Sequence, residues 1–226
     1  NQDLRAERNS GYEAGVDLYY QENYSLELTY YNQVASDLIF VEILPTDPGM
    51  PGQQQYRNVG KVINRGLEMA CSAFLDPVIF KMTLSYMDNR YGSNYQGFNE
   101  GDKVINTPKL TLNGSLSYTI PEFLNLTDKQ SSVSLQMQYR GAITTKNLIL
   151  YYDGLYKPGA PQISSSALPY IDTGSYTLFN ISANYWLTNY LAVLIDVRNL
   201  FNKQVVTGQL YPLIGREATI GIKAEL

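Results

Sequence analysis

Two clusters of aromatic and basic residues mark this chain. Arg90, Tyr91 and Tyr95 lie in one stretch, and Lys146, Tyr151, Tyr152, Tyr156 and Lys157 lie in another. Cations supply charge and phenol rings supply a stacking face, so both stretches suit a small anionic, aromatic ligand such as a metal chelate. The same rings suit sugars or the surface of a partner protein, and Tyr-rich segments also pack for structural reasons alone.

Other chemistries are missing. The 226 residues include no His, which removes Ser–His and Cys–His nucleophiles and most zinc sites. No Gly-rich phosphate loop is present, so no cofactor and no metal ligand set are expected. Carboxylates such as Asp17 and Glu27 read as wall charges more readily than as a glycosidase pair. An enzyme is therefore not expected. The lone Cys71 forms no internal disulfide, and a net charge of −4 argues against nucleic acid as a partner.

The elements that must position these residues alternate apolar and polar side chains, the signature of strands with two unlike faces. In the last of them Ala218, Ile220, Ile222, Ala224 and Leu226 point one way and Glu217, Thr219, Gly221, Lys223 and Glu225 the other. Nine such stretches occur. Their apolar faces carry Tyr12 to Tyr20, Leu26 to Tyr30, Ile63 to Cys71, Phe80 to Tyr86, Leu110 to Tyr118, Val133 to Tyr139, Phe179 to Tyr185, Leu191 to Val197, and Ala218 to Leu226. Glu13, Glu68, Arg140, Asp196 and Arg198 fall on the polar faces. Gly15, Gly66 and Gly221 share those faces, where a close-lying backbone needs room.

Connections alternate short and long. Turns are expected at Glu22-Asn23, Asp76-Pro77 and Thr188-Asn189, with a longer link from Ile120 to Gln130. Loops are expected up to about Asn58, from Asp88 to Thr107, from Gly141 to Gly174, and around Gly208 and Pro212. Short turns at one end and long loops at the other are the outer-membrane barrel pattern. Tyr is the compositional outlier, with 20 copies, and recurs near strand ends on the apolar face, as aromatic girdles do. A lipocalin-like soluble barrel would reverse the facing and bury Leu and Tyr inside. The expected fold class is all-β, a transmembrane antiparallel β-barrel exposed to lipid. Bacterial barrels have even strand numbers, so further strands are expected before Asn1.

Three stretches resemble the C-terminal barrel of TonB-dependent outer-membrane receptors. Leu4-Arg5-Ala6-Glu7-Arg8-Asn9-Ser10-Gly11-Tyr12-Glu13-Ala14-Gly15 is similar to that family's entry into a late strand. Asn58-Val59-Gly60 through Arg65-Gly66-Leu67-Glu68 is similar to the following descent. Val197-Arg198-Asn199-Leu200-Phe201-Asn202-Lys203, then Gly215-Arg216-Glu217, resembles the approach to the terminal strand. Leu226 stands where the family has an aromatic, and Ile214 precedes Gly215 where it has Pro.

The resemblance implies that residues 1–226 are about the last nine strands of a 22-stranded barrel, with a plug domain outside them. It implies active uptake of a scarce nutrient, a ferric siderophore or similar chelate, energised through the TonB complex. Partners implied are TonB, outer-membrane lipid, the barrel-assembly machinery and a small-molecule substrate. A passive porin-like channel and an adhesin or scaffold barrel that binds a surface protein are the alternatives.

Overall fold

The apolar faces predicted from alternation join into one surface because every register aligns them. The computed structural model describes residues 1–43, 54–94, 99–147, 150, 153–154, 156–162, 169–206 and 212–225. Its strands are β1 (Arg8–Tyr20), β2 (Tyr24–Ile43), β3 (Gln54–Leu75), β4 (Val78–Tyr91), β5 (Leu110–Thr119), β6 (Ser132–Arg140), β7 (Thr144–Lys146), β8 (Tyr170–Asp172), β9 (Tyr176–Thr188), β10 (Leu191–Arg198) and β11 (Glu217–Ala224). Nine of them form one antiparallel sheet in the order β1-β2-β3-β4-β5-β6-β9-β10-β11. β7 and β8 pair with each other as a separate hairpin.

One row shows how the register works. Val16 faces Leu28, Leu28 faces Met69, Met69 faces Leu84, Leu84 faces Leu112 and Leu112 faces Tyr139. A slip of one residue in any pair would turn a whole strand inside out. The opposite face is small and polar. Ser25 and Ser72 share a hydroxyl hydrogen bond of 2.7 Å, and Ser117 and Ser134 one of 2.8 Å. Depressions of about 370 and 310 Å³ lie on this polar side, lined by residues such as Ser134, Asn184 and Asp196, and Glu27, Glu68 and Thr83.

No apolar core covers the other face among the described residues. Leu18 is 55% exposed, Ile195 43% and Ile222 74%. Among the described residues the buried apolar side chains are few: Ile143, Trp186, Ala192 and Val205. A sheet that leaves its apolar face uncovered requires lipid there. No helix among the described residues is long and apolar enough to cross a membrane, so crossing falls to the strands.

Strand extents correct the sequence reading in three places. β2 runs on to Ile43 and β3 starts at Gln54, so most of the segment up to Asn58 is paired strand rather than loop. β4 continues to Tyr91, which takes Arg90 and Tyr91 out of the loop and into a strand. The stretch from Gly141 to Gly174 contains the β7–β8 hairpin, which places Lys146 in a strand as well. In the first two cases the wall extends past the apolar belt, where both faces are wet and alternation vanishes; in the third a separate hairpin has strands of three residues, too short to show alternation.

Pro45, Asp47-Pro48-Gly49 and Pro51-Gly52, read as loop, lie outside the described residues, as do Tyr95, Tyr151, Tyr152, Gly208 and Leu226. The short turns stand where expected, and the Asp76–Pro77 peptide is cis. The link between β5 and β6 holds a short 3-10 turn at Glu122–Leu124.

Candidate functional site

The long-connection end of the sheet brings several sequence-predicted residues together. After β4 the chain folds back on the strand: Tyr91 N–H donates to Asp102 O at 2.9 Å, and Val104 N–H donates to Asn89 O at 3.0 Å. The same segment then grips the β7–β8 hairpin, with Asn106 N–H donating to Thr144 O at 2.9 Å. Ile143 and Thr145 are buried in this contact region, and Thr144 Oγ1 donates to Asp172 Oδ1 at 2.7 Å. The two long connections are thus hydrogen-bonded into one unit.

Tyr91 interacts electrostatically with Tyr170, a residue the sequence reading did not single out. Tyr170 pairs with Lys146 across the hairpin. Burial first, and the Asp102 carboxylate second, push the Tyr170 phenol above its ordinary value. The phenol therefore stays a neutral hydrogen-bond donor. A three-residue strand after Pro169 is too short to leave an alternation signal, so nothing in the sequence marked Tyr170 out.

Arg90 behaves differently from its neighbour. It stands opposite Ile63, on the side of the sheet that becomes the apolar face lower down. Its Nε donates to Asp88 at 3.1 Å and its Nη1 to Gly101 O at 2.9 Å. Tyr156 is 78% exposed, and Lys157 lies one helical turn from Asp153, with an ion pair of 3.1 Å. The register thus gives Tyr91 and Arg90 opposite faces, and the described contacts join Tyr91, Tyr170, Lys146 and Asp102.

The polar wall carries the second predicted set. Glu13 faces Tyr31, and Glu68 lies between Thr29 and Ser85. Neither carboxylate makes an ion pair among the described residues. Asp196 and Arg198 do pair, at 3.0 Å along one strand. Arg140 sits between Thr111 and Tyr176, with its buried Nε lacking a hydrogen-bond acceptor. Gly66 makes room on this wall: a Cβ there would come within 2.5 Å of the Tyr31 hydroxyl. Gly221 has ordinary space instead, its nearest neighbour being Leu194 Cβ at 3.7 Å.

At the short-turn end a further cluster escaped the sequence reading. Lys129 Nζ lies 4.6 Å and Lys223 Nζ 5.2 Å from the Trp186 ring centroid. Glu225 takes hydrogen bonds from both lysines, with the Lys223 contact at 2.6 Å. These charges hold its carboxyl down at about 2, the Lys129 hydrogen bond contributing most. Trp186 N–H donates to the buried Ser131 Oγ at 3.1 Å. The cluster ties the end of β11 to the β5–β6 link.

Comparison with known proteins agrees with this architecture. A family model described as "TonB dependent receptor-like, beta-barrel" matches residues 1–200. Among solved structures, the siderophore receptor PirA from Acinetobacter baumannii is similar, with a TM-score of 0.71 at 19% identity over 99% of this chain and 32% of that one. The FrpB iron transporter from Neisseria meningitidis gives 0.69 at 19% identity over 98% and 32%. A ferric enterobactin receptor mutant from Pseudomonas aeruginosa gives 0.68 at 23% identity over 99% and 32%. The chain thus spans about a third of the length of these structures. No curated protein sequence matches it. An apolar belt, a polar wall, long connections at one end and a family match over residues 1–200 agree: this chain belongs to the TonB-dependent receptor-like β-barrels of the Gram-negative outer membrane.

Proposed function

We propose that this chain forms the C-terminal part of a single transmembrane β-barrel whose whole protein imports a scarce nutrient, a ferric siderophore or similar metal chelate, with energy passed through TonB. The observation that carries this reading is the hydrogen-bonded unit at the long-connection end, which gathers Tyr91, Tyr170 and Lys146. Phenol rings beside a cation suit an anionic aromatic chelate. The similar structures include an iron transporter and a siderophore receptor, which supports the same class of cargo. Tyr156 and Lys157, with Tyr151 and Tyr152 beside them in sequence, and Tyr95, which follows Tyr91, are proposed as further ligand contacts. Arg90 is proposed to act at this end only through Asp88 and Gly101.

On the wall, Glu13, Glu68 and Arg140 are proposed to face the plug, and Asp196 and Arg198 to neutralise each other. The test is uptake of a labelled ferric chelate by cells carrying the full-length receptor. Accumulation against a gradient should stop when the proton gradient is collapsed or TonB is deleted. Shortening residues 147–169 should abolish chelate binding while the barrel still assembles, since connections change length at little thermodynamic cost. Flux that continues without TonB would indicate a passive channel. A receptor that binds a surface protein and accumulates nothing would indicate an adhesin.

A further inference from the structure

One connection at the short-turn end touches both faces of the sheet. Toward that end the apolar face reads Tyr118, Val133, Ala183, Ile195 and Ile220 in one row, then Tyr185, Val193 and Ile222 in the next. Rows on one face are two residues apart, about 7 Å along a strand. The link between β5 and β6 starts beside these rows, its base closed by Ile120 N–H donating to Ser131 O at 2.9 Å. Tyr185 and Trp186 are consecutive in β9, so they point to opposite faces. The Tyr185 hydroxyl donates to Leu124 O at 2.8 Å, whereas Lys129 Nζ lies 4.6 Å from the Trp186 ring centroid. The first half of the link is thus held on the lipid-facing side of β9 and the second half on the polar side.

The half on the lipid-facing side is apolar and uncovered. Phe123 is 83% exposed, Leu124 56% and Leu126 68%. The turn that presents them is ordered. Leu124 N–H donates to Pro121 O at 2.9 Å, and Asn125 N–H donates to Glu122 O at 3.0 Å. Asn125 Nδ2 donates back to Ile120 O at 2.9 Å and to Pro121 O at 3.3 Å. The turn therefore folds its amide side chain inward and leaves its large apolar side chains outside. Glu122 is the only charged residue between Ile120 and Leu126. The charges of this link, Asp128 and Lys129, come later, in the half that reaches Trp186 and Glu225.

Single exposed apolar side chains are ordinary, but a contiguous group of them marks an interaction surface. Continuity says what covers this one. Through the Tyr185 hydroxyl the turn adjoins the apolar face that lipid covers. Short turns mark the periplasmic side of an outer-membrane barrel, so the lipid at this level is the periplasmic leaflet. We propose that the Pro121–Leu126 turn is an interfacial anchor, with Phe123, Leu124 and Leu126 inserted at the boundary between headgroups and acyl chains of that leaflet. Glu122 stays at headgroup level, where water and phospholipid ammonium groups meet its charge. The anchor rests on the facing of the strands and has no part in holding cargo, so it stands or falls separately from uptake.

The experiment uses the full-length receptor in vesicles of phosphatidylethanolamine and phosphatidylglycerol. Nitroxide labels are attached to Phe123→Cys or Leu126→Cys, each in a Cys71→Ala background, with Leu135→Cys as the lipid standard and Gln130→Cys as the wet one. Oxygen concentrates in lipid and a nickel chelate stays in water, so relaxation of the label by each reagent separates lipid, water and protein surroundings. Labels at positions 123 and 126 should be relaxed by oxygen, as at position 135, and should report a depth of about 5–10 Å into the headgroup and acyl boundary. Relaxation by the nickel chelate instead, as at position 130, would put the turn in water and overturn the anchor. Weak relaxation by both reagents would mean that protein covers the turn, the plug or a periplasmic partner, and would overturn it equally. A water reading at position 135 would remove the lipid-facing assignment and the anchor together. Backbone bonds hold the turn and both labelled side chains are exposed, so assembly should be kept. If one variant fails to assemble, the other decides.

Discussion

Ile195 and Asp196 are consecutive residues with opposite surroundings. Ile195 faces Ala183 and Ile220 on the apolar side, and Asp196 faces Ser182 and Thr219 on the polar side. Placing Arg at position 195 near mid-membrane is expected to cost about 2–4 kcal/mol on the barrel depth scale. Asp196→Asn removes only a surface pair with Arg198 and is expected to cost less than about 1 kcal/mol. Unfolding of the assembled barrel in lipid measures both, and equal costs would contradict the facing.

Glu225 offers a pH test at the same scale. Its carboxyl is held at about 2, below the ordinary 4.5, because Lys129 and Lys223 bond its charged form. A depressed acid contributes stability above its ordinary value and loses it as pH falls from 4.5 toward 2. Glu225→Gln should therefore flatten the loss of stability across that window. Trp186 fluorescence should shift over the same window, since both lysines lie over its ring. A pH profile identical to wild type would remove the lysine clamp from the account.

At the scale of elements, the turn after β10 gives the family motif a physical meaning. Asn199 is buried and adopts a positive φ of 48°, a conformation that Asn tolerates better than most residues. Its Oδ1 accepts from Lys203 N–H at 2.8 Å, and its Nδ2 donates to Lys203 O at 3.0 Å. Asn202 Oδ1 accepts from Arg216 N–H at 3.0 Å, which fastens the far end of the connection. Phe201 meets Phe179 edge-on at 5.5 Å. Asn199→Ala is expected to cost about 1–3 kcal/mol in thermal or urea unfolding, the range for a buried hydrogen-bonding group removed from its partners. Asn199→Gly keeps the backbone conformation and should cost nearly as much, because the side-chain bonds are what is lost. Full stability of the glycine variant would show that backbone strain alone selects Asn.

These elements also show what the sequence made legible. Apolar belts were readable because Leu26, Leu28 and Tyr30 alternate cleanly inside lipid. The outer half of β2 was not, because Asn32, Gln33, Ser36 and Asp37 place polar groups on both faces. The Asn-Leu-Phe-Asn-Lys run was recognisable as a motif, yet its bonds to Ile214 and Arg216 arise only on folding. Lys129 and Glu225 lie 96 residues apart and meet only because β9 and β10 carry the chain end back to the β5–β6 link. Spacing carries no signal for such a pair. The predicted ligand residues separated for a simpler reason: Arg90 and Tyr91 are neighbours in a strand, so alternation sends them to opposite sides.

For the whole molecule, facing can be read by chemical access. Cys placed at Leu28, Leu84, Leu135 or Ile195 should resist a water-soluble maleimide in intact membranes, and native Cys71 should resist it likewise. Cys placed at Ser25, Thr83 or Ser182 on the polar wall should react faster once the lumen is open to the reagent. Rapid labelling of most apolar-face sites would mean that lipid does not cover them.

The hairpin of β2 and β3 has a consequence for how the cell surface is met. Tyr30 marks the girdle, and β2 continues to Ile43, about 44 Å further along a strand rising about 3.4 Å per residue. Asn32 through Ser36 are flanked by β1 as well as β3, whereas Leu38 through Ile43, paired with β3 from Gly60 back to Gln54, stand beyond the ends of β1 and β4 as a two-stranded ribbon. Backbone amides there should exchange slowly with solvent although no lipid shields them. An antibody, phage or host protease arriving from outside meets this ribbon standing past the ends of β1 and β4. Its reach, more than its sequence, bears on how near a large visitor can come to the mouth of the barrel.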